Sequence, residues 1–198
     1  MYSKLKNAYI QENFTLNIYN EPLQKCPDRA TETNGSWMSD KTCSETGGGV
    51  HQICYRNIGT NANKFSKNTG QPDWSTKRGD QNHCVCLGAW ALYKKKLDDG
   101  TIASDGSSSR LKCSAIPNSV FHPSYINSFS QWNNLEESLQ IVNGVEGIVS
   151  ECYRKAKKES QKKALIDNYC KLAKKVPALR NSSSDKHQMY HSFCLNKN

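Results

Sequence analysis

Gly79-Asp80-Gln81-Asn82-His83-Cys84-Val85-Cys86-Leu87-Gly88-Ala89-Trp90-Ala91-Leu92-Tyr93 is the stretch from which the fold is read. It opens on turn residues, sets His83, Cys84 and Cys86 within four positions, and runs into an apolar pattern. Leu87, Trp90 and either Ala91 or Tyr93 recur at helical spacing, so a helix is expected from about Asn82 to Leu97. Asp80 or Asn82 is its expected cap, because a short side-chain oxygen accepts from the first free backbone N–H groups. The stretch therefore places thiols and an imidazole at the start of a buried helix.

The 198 residues fit one domain with a sizeable appendage. Only 36% are hydrophobic, so much of the chain must be surface or loop. Met1-Tyr2-Ser3-Lys4-Leu5-Lys6 lacks the apolar core of a signal peptide. No run approaches the ~20 apolar residues that span a bilayer. A soluble, intracellular protein is expected, and there cysteine with histidine points to metal or thiol chemistry more than to disulfides. The net charge of +9 suits either solubility or attraction to nucleic acid, anionic membrane or acidic protein.

Working outward, residues 1–13 read as an N-terminal arm. Phe14, Leu16 and Ile18 alternate as on a strand over 14–19. Residues 27–49 form a long loop rich in Pro, Asp, Thr, Asn, Ser and Gly, pinned by Cys26, Trp37 and Cys43. Thr46-Gly47-Gly48-Gly49 lacks the Lys-Ser/Thr ending of a phosphate loop. Val50–Tyr55 reads as a second strand, 61–68 as a short helix and 111–116 as a third strand. Residues 117–131 fit a turn and a short helix. Then Leu135, Leu139, Val142, Val145, Val149, Cys152 and Ala156 mark one helical face, with Asn133 or Asn134 as cap. Leu165, Tyr169, Leu172 and Val176 mark another, stopped by Pro177. The expected fold class is α+β: a small loop-rich domain of few short strands and short helices (14–130), then a C-terminal helical arm. That arm comprises a basic helical hairpin (131–180) and a tail (181–198), whose apolar end docks on this chain or on a neighbour.

Leu16-Asn17-Ile18-Tyr19-Asn20-Glu21-Pro22-Leu23 with Cys26 begins a pattern that continues through Gly35, Asp40 and Cys43. It goes on through Gly49-Val50-His51-Gln52-Ile53-Cys54 and Phe65-Ser66-Lys67-Asn68-Thr69-Gly70. It closes on Gly79-Asp80, Cys84-Val85-Cys86 and Trp90. This pattern resembles a bacterial family of uncharacterised small proteins catalogued as domain of unknown function 2237, over about 14–130. His83 stands where the bacterial form commonly has Trp, and 133–198 is an addition. The extended form is similar to proteins of large DNA viruses of algae and protists. The resemblance implies a unified domain and carries no activity with it.

Cys26, Cys43, His51, Cys54, His83, Cys84 and Cys86 are candidates for a metal site or for disulfides. Structural zinc is the cofactor considered, since zinc takes four S/N ligands and ties down loops. Cys84 and Cys86 are each able to bridge a different partner among Cys26, Cys43 and Cys54, and all remain open to plain packing as reduced thiols. The enzyme reading takes Cys84 or Cys86 as a thiolate stabilised by a helix N-terminus, with His51 as base. His187, His191 and Cys194 form a weaker ligand set, and His122 reads as a surface residue. Residues 150–180 hold ten Lys/Arg against three Asp/Glu. Lys155, Lys157, Lys158, Lys162, Lys163, Lys171, Lys174 and Lys175, with Phe193, are the expected interaction residues.

The favoured expectation is a non-enzymatic structural or interaction protein with protein partners, such as a minor capsid component of a large-virus particle. The alternatives are a metal- or thiol-dependent enzyme or redox protein on His51, Cys84 and Cys86, and nucleic-acid binding through the basic helices.

Overall fold

The computed structural model describes residues 16–33, 35–45, 51–60, 63–103, 110–128, 137–180 and 189–195. The expected N-terminal arm, the caps Asn133 and Asn134, and His187 lie outside them. The architecture is α+β, as expected: a two-stranded sheet set among loops, then packed helices.

Strands β1 (His51–Tyr55) and β2 (His83–Cys86) pair antiparallel. His51 stands opposite Cys86, Ile53 opposite Val85, Cys54 opposite Cys84 and Tyr55 opposite His83. The register is irregular between His51 and Ile53. Gln52, Ile53, Cys54 and Tyr55 are all buried, so simple two-faced alternation does not hold. Two expected strands are absent among the described residues, Phe14 and Thr15 lying outside them. Leu16 and Asn17 make only isolated bridges, to Pro22 and Pro117, because the chain turns back at Asn20 with φ 58. Leu111 makes one bridge to Tyr55 before a 3-10 turn at Cys113–Ala115. A tight turn consumes the residues that a ladder would need.

Helix α1 (Phe65–Asn68) is short, and α2 (Leu87–Asp98) begins later than expected. Residues 83–86 stay extended because they pair with β1 on one side and the Cys84 N–H donates to the Gly35 carbonyl at 2.7 Å on the other, a tertiary effect that local periodicity does not report. Asp80 and Asn82 do not cap α2. Asp80 accepts two hydrogen bonds from Arg29, at 2.6 and 2.8 Å. Asn82 donates to the Cys26 carbonyl at 2.7 Å. The cap is Cys86, whose Sγ accepts from Ala89 N–H at 3.4 Å.

The long loop is an ordered structure where it is described. Buried Glu32 accepts from the N–H groups of Asp28, Arg29 and Asn82 at 2.8, 2.9 and 2.7 Å. Cys26–Cys54 and Cys43–Cys84 bond the loop's two ends to β1 and β2. A buried carboxylate is tolerated here because charge-assisted hydrogen bonds replace its lost water.

Helix α3 (Pro123–Ser128) leads toward the two long helices, α4 (Glu137–Lys155) and α5 (Glu159–Ala173), which precede α6 (Pro177–Arg180). Where they are described, the apolar stripes land as expected: Val142, Val145, Val149, Cys152, Leu165, Tyr169, Leu172 and Val176 are buried and Ala156 is half-buried, while Leu135 and the Leu139 side chain lie outside the described residues. They join one continuous core with Trp90, Tyr93 and Ile116, so this helical region packs on its own chain. Gly144 permits the closest approach of α4 to α2, since a Cβ there would stand 2.7 Å from Ala91 Cβ. Trp90 Nε1 donates to the carbonyl exposed at that same Gly144, at 3.0 Å. Burying each large aliphatic side chain in this seam contributes about 1.5–3 kcal/mol. Cys113–Cys152 and Cys170–Cys194 complete the cross-links, the latter fastening the tail to α5.

Candidate thiol site

Eight of the nine cysteines are in disulfides, and Cys86 alone is free. Among the readings left open for these cysteines, metal, bridges or reduced thiols, the structure takes the bridges, a pattern typical of oxidising surroundings more than of the expected intracellular setting. It also removes Cys84 from candidacy as a nucleophile, since its sulfur is bonded to Cys43. Cys26, Cys43 and Cys54 are likewise cross-links. Of the two cysteines in Cys-x-Cys, only Cys86 keeps a thiol.

Cys86 stands at the junction where β2 becomes α2. It lines a cleft of about 240 Å³ with His51, Trp74, Arg78, His83 and Ala89. Burial pushes the thiol pKa up, the N–H groups of Ala89, Cys86 and Gly88 draw it back, and the Glu45 carboxylate raises it again. The resting sulfur is therefore a protonated thiol that needs a base.

His51 faces Cys86 across the ladder. Its Nδ1 lies 2.6 Å from Glu45 Oε2, and its backbone N–H donates to the same oxygen at 2.8 Å. Gln52 Nε2 holds the Glu45 carbonyl at 2.8 Å. A carboxylate oxygen accepts, so Nδ1 carries a hydrogen toward Glu45, and in the neutral imidazole Nε2 is then the acceptor. Glu45 is the residue the sequence reading missed. It lies six positions before His51, and no residue pattern marks that spacing.

His83 is 4% exposed, and its Nδ1 has no hydrogen-bond partner among the described residues. Burial, then the charges of Arg78 and His51, lowers its pKa to about 3. The ring is thus neutral across the physiological range. It lies on Trp74 with centroids 4.5 Å apart, and the Trp74 indole is itself fixed by Gln71 at 3.0 Å. An orphaned ring nitrogen this deeply buried is uncommon and marks a position shaped by something besides packing.

The expected interaction residues are dispersed. Lys155 donates to the Leu111 carbonyl at 2.5 Å. Lys158, Lys162 and Lys163 pair with Glu21, Glu159 and Asp167. Lys157 is exposed. Lys171, Lys174 and Lys175 line a separate groove of about 350 Å³ with His122. Phe193 stacks on Tyr153 with centroids 5.3 Å apart, within this chain. No described helix is long and apolar enough to cross a membrane. No family model, curated protein or solved structure matches this chain.

Proposed function

We propose that this chain is a thiol-dependent enzyme of the acyl-transfer type, with Cys86 as nucleophile, His51 as general base and Glu45 orienting the imidazole. One observation carries the reading: the single free thiol, at a strand-to-helix junction, shares a cleft with a histidine already clamped to a carboxylate. Free thiol and fixed base are the two halves of nucleophilic cysteine catalysis. His51 Nε2 takes the thiol proton as the sulfur adds to an electrophilic carbonyl carbon of the substrate. The carbonyl electrons move to oxygen. Collapse then expels the leaving group, which takes the proton from His51, and water hydrolyses the thioester by the reverse use of the same base. Neutral His83 and the Trp74 face offer a flat, desolvated wall for a planar substrate group.

Alkylation of the oxidised protein with iodoacetamide tests this, because only Cys86 is available to react. Fast labelling near neutral pH is expected, slowed about a hundredfold in His51→Ala and less in Glu45→Gln. Labelling no faster than in the denatured chain, and unchanged in His51→Ala, sinks the proposal.

A second reading keeps the chain as a non-enzymatic structural protein with protein partners. Its supporting observation is the disulfide net, together with the burial that holds the Cys86 thiol protonated. Within this reading the role considered is a minor capsid component of a large-virus particle. Nucleic-acid binding has less support, because Lys158, Lys162 and Lys163 of the basic helices pair within the chain.

A further inference from the structure

Two of the four disulfides touch each other. The Sγ atoms of Cys26, Cys43 and Cys54 all lie within 4.8 Å of one another, and Cys84 is bonded to Cys43. All four residues are completely buried. They come from both ends of the long loop and from both strands. Cross-linking alone does not call for this concentration. The other two disulfides are single staples between separate pairs of elements. Three buried sulfurs that converge, with a fourth, that of Cys84, one bond away on Cys43, supply the four-thiolate ligand set of a tetrahedral zinc site. A Lys–Asp ion pair holds the backbone beside this centre. Lys112 Nζ, mostly buried, donates to the Cys26 carbonyl at 3.2 Å and pairs with Asp28 at 2.7 Å. Cys86 is outside the cluster and faces the cleft.

We infer that Cys26, Cys43, Cys54 and Cys84 form a zinc site when reduced, so that the same four residues brace the loop either as two disulfides or around one metal ion. In the forward direction, two molecules of a dithiol reductant each donate two electrons to one disulfide and become cyclic disulfides. The four protein thiols so formed release four protons to solvent as they bind one Zn²⁺. In the reverse direction, two small-molecule disulfides accept the four electrons and take up four protons as thiols. The protein disulfides then re-form and Zn²⁺ departs. The loop stays tied in both states, which suits a protein that passes between a reducing interior and an oxidising exterior.

The test reduces the full chain with a dithiol, removes the reductant anaerobically, and adds Zn²⁺. Elemental analysis counts bound metal, and alkylation followed by peptide mass mapping identifies the protected cysteines. The expected result is one zinc per chain with Cys26, Cys43, Cys54 and Cys84 protected and the other five cysteines alkylated. Cys43→Ser with Cys84→Ser should lose the zinc, whereas Cys86→Ser and Cys170→Ser with Cys194→Ser should retain it. Absence of stoichiometric zinc in the wild-type chain, or protection of a different set of cysteines, overturns the inference. Because Cys86→Ser abolishes the proposed nucleophile and spares the zinc site, the two ideas fail separately.

Discussion

The loop-and-sheet region and the helical region of this molecule are held by different forces. In the first, the described residues 16–33, 35–45, 51–60 and 81–86 hold one short two-stranded ladder and otherwise little regular structure. They depend on two touching disulfides and on individual polar side chains such as Glu32 and Asn82. In the second, α4 and α5 bury periodic apolar stripes, and each cross-link adds to packing already present. The comparison teaches that a chain of low apolar content can be ordered throughout its described loops if covalent and hydrogen-bonded ties replace core area. It also explains the position of the candidate site. The thiol sits on the edge of the continuous core, while its histidine and carboxylate lie where polar ties dominate, so core, ladder and loop together set their positions.

The largest break in this comparison should come from removing both loop disulfides. Cys26→Ala with Cys54→Ala is expected to cost about 2–5 kcal/mol, and adding Cys43→Ala with Cys84→Ala a similar further amount. Hydrogen exchange should show protection lost first over 16–45, while α4 and α5 keep theirs. Simultaneous loss in both regions would mean that they are one cooperative unit.

The matching break in the helical region is smaller. Gly144→Val forces a side chain against Ala91 and should cost about 1–3 kcal/mol. Thermal unfolding of the oxidised variant measures it. A neutral result would show that α4 can move away from α2 without penalty.

Acid separates the regions through His83. Its folded pKa of about 3 lies below the ordinary value of 6.5, so the unfolded chain binds this proton more readily. The contribution to stability is complete above pH 6.5 and is lost as pH falls toward 3. The slope is at most about 1.4 kcal/mol per pH unit within that window. Denaturant midpoints of wild type and His83→Phe across this range should diverge in acid, wild type falling further than the variant, because the variant lacks that proton uptake. Parallel curves would assign the acid sensitivity to carboxylates elsewhere.

The smallest effect is expected from His83→Trp at neutral pH, which installs the residue common in the resembling bacterial family. Removing an orphaned buried nitrogen should recover about 1–2 kcal/mol if the larger ring fits against Trp74. A destabilised variant would show that the cleft wall has no room for it.

Much of the helical region was legible because its signal is local. Val142, Val145, Val149, Leu165, Tyr169 and Leu172 repeat every three or four residues whatever they pack against. The site was legible only in part. His51, His83 and Cys86 were recognisable as chemistry-bearing types, yet the difference between Cys84 and Cys86 was not. It depends on which sulfur meets Cys43, a contact across 41 positions of chain. Glu45 carried no signal because hydrogen bonding to His51 needs a loop conformation, not a repeat.

The sequence by itself determined the α+β class, the long pinned loop, the strand at 51–55 and the two amphipathic helices, since turn chemistry and periodicity act between near neighbours. Only the tertiary structure decided the rest. It turned 83–86 into a strand by supplying β1 as partner, made Cys86 the cap of α2, and buried the helical stripes on this chain. It also chose one disulfide pairing among the many that nine cysteines allow. Each of those outcomes rests on contacts between distant segments, where the free energy belongs to the pair and not to either stretch alone.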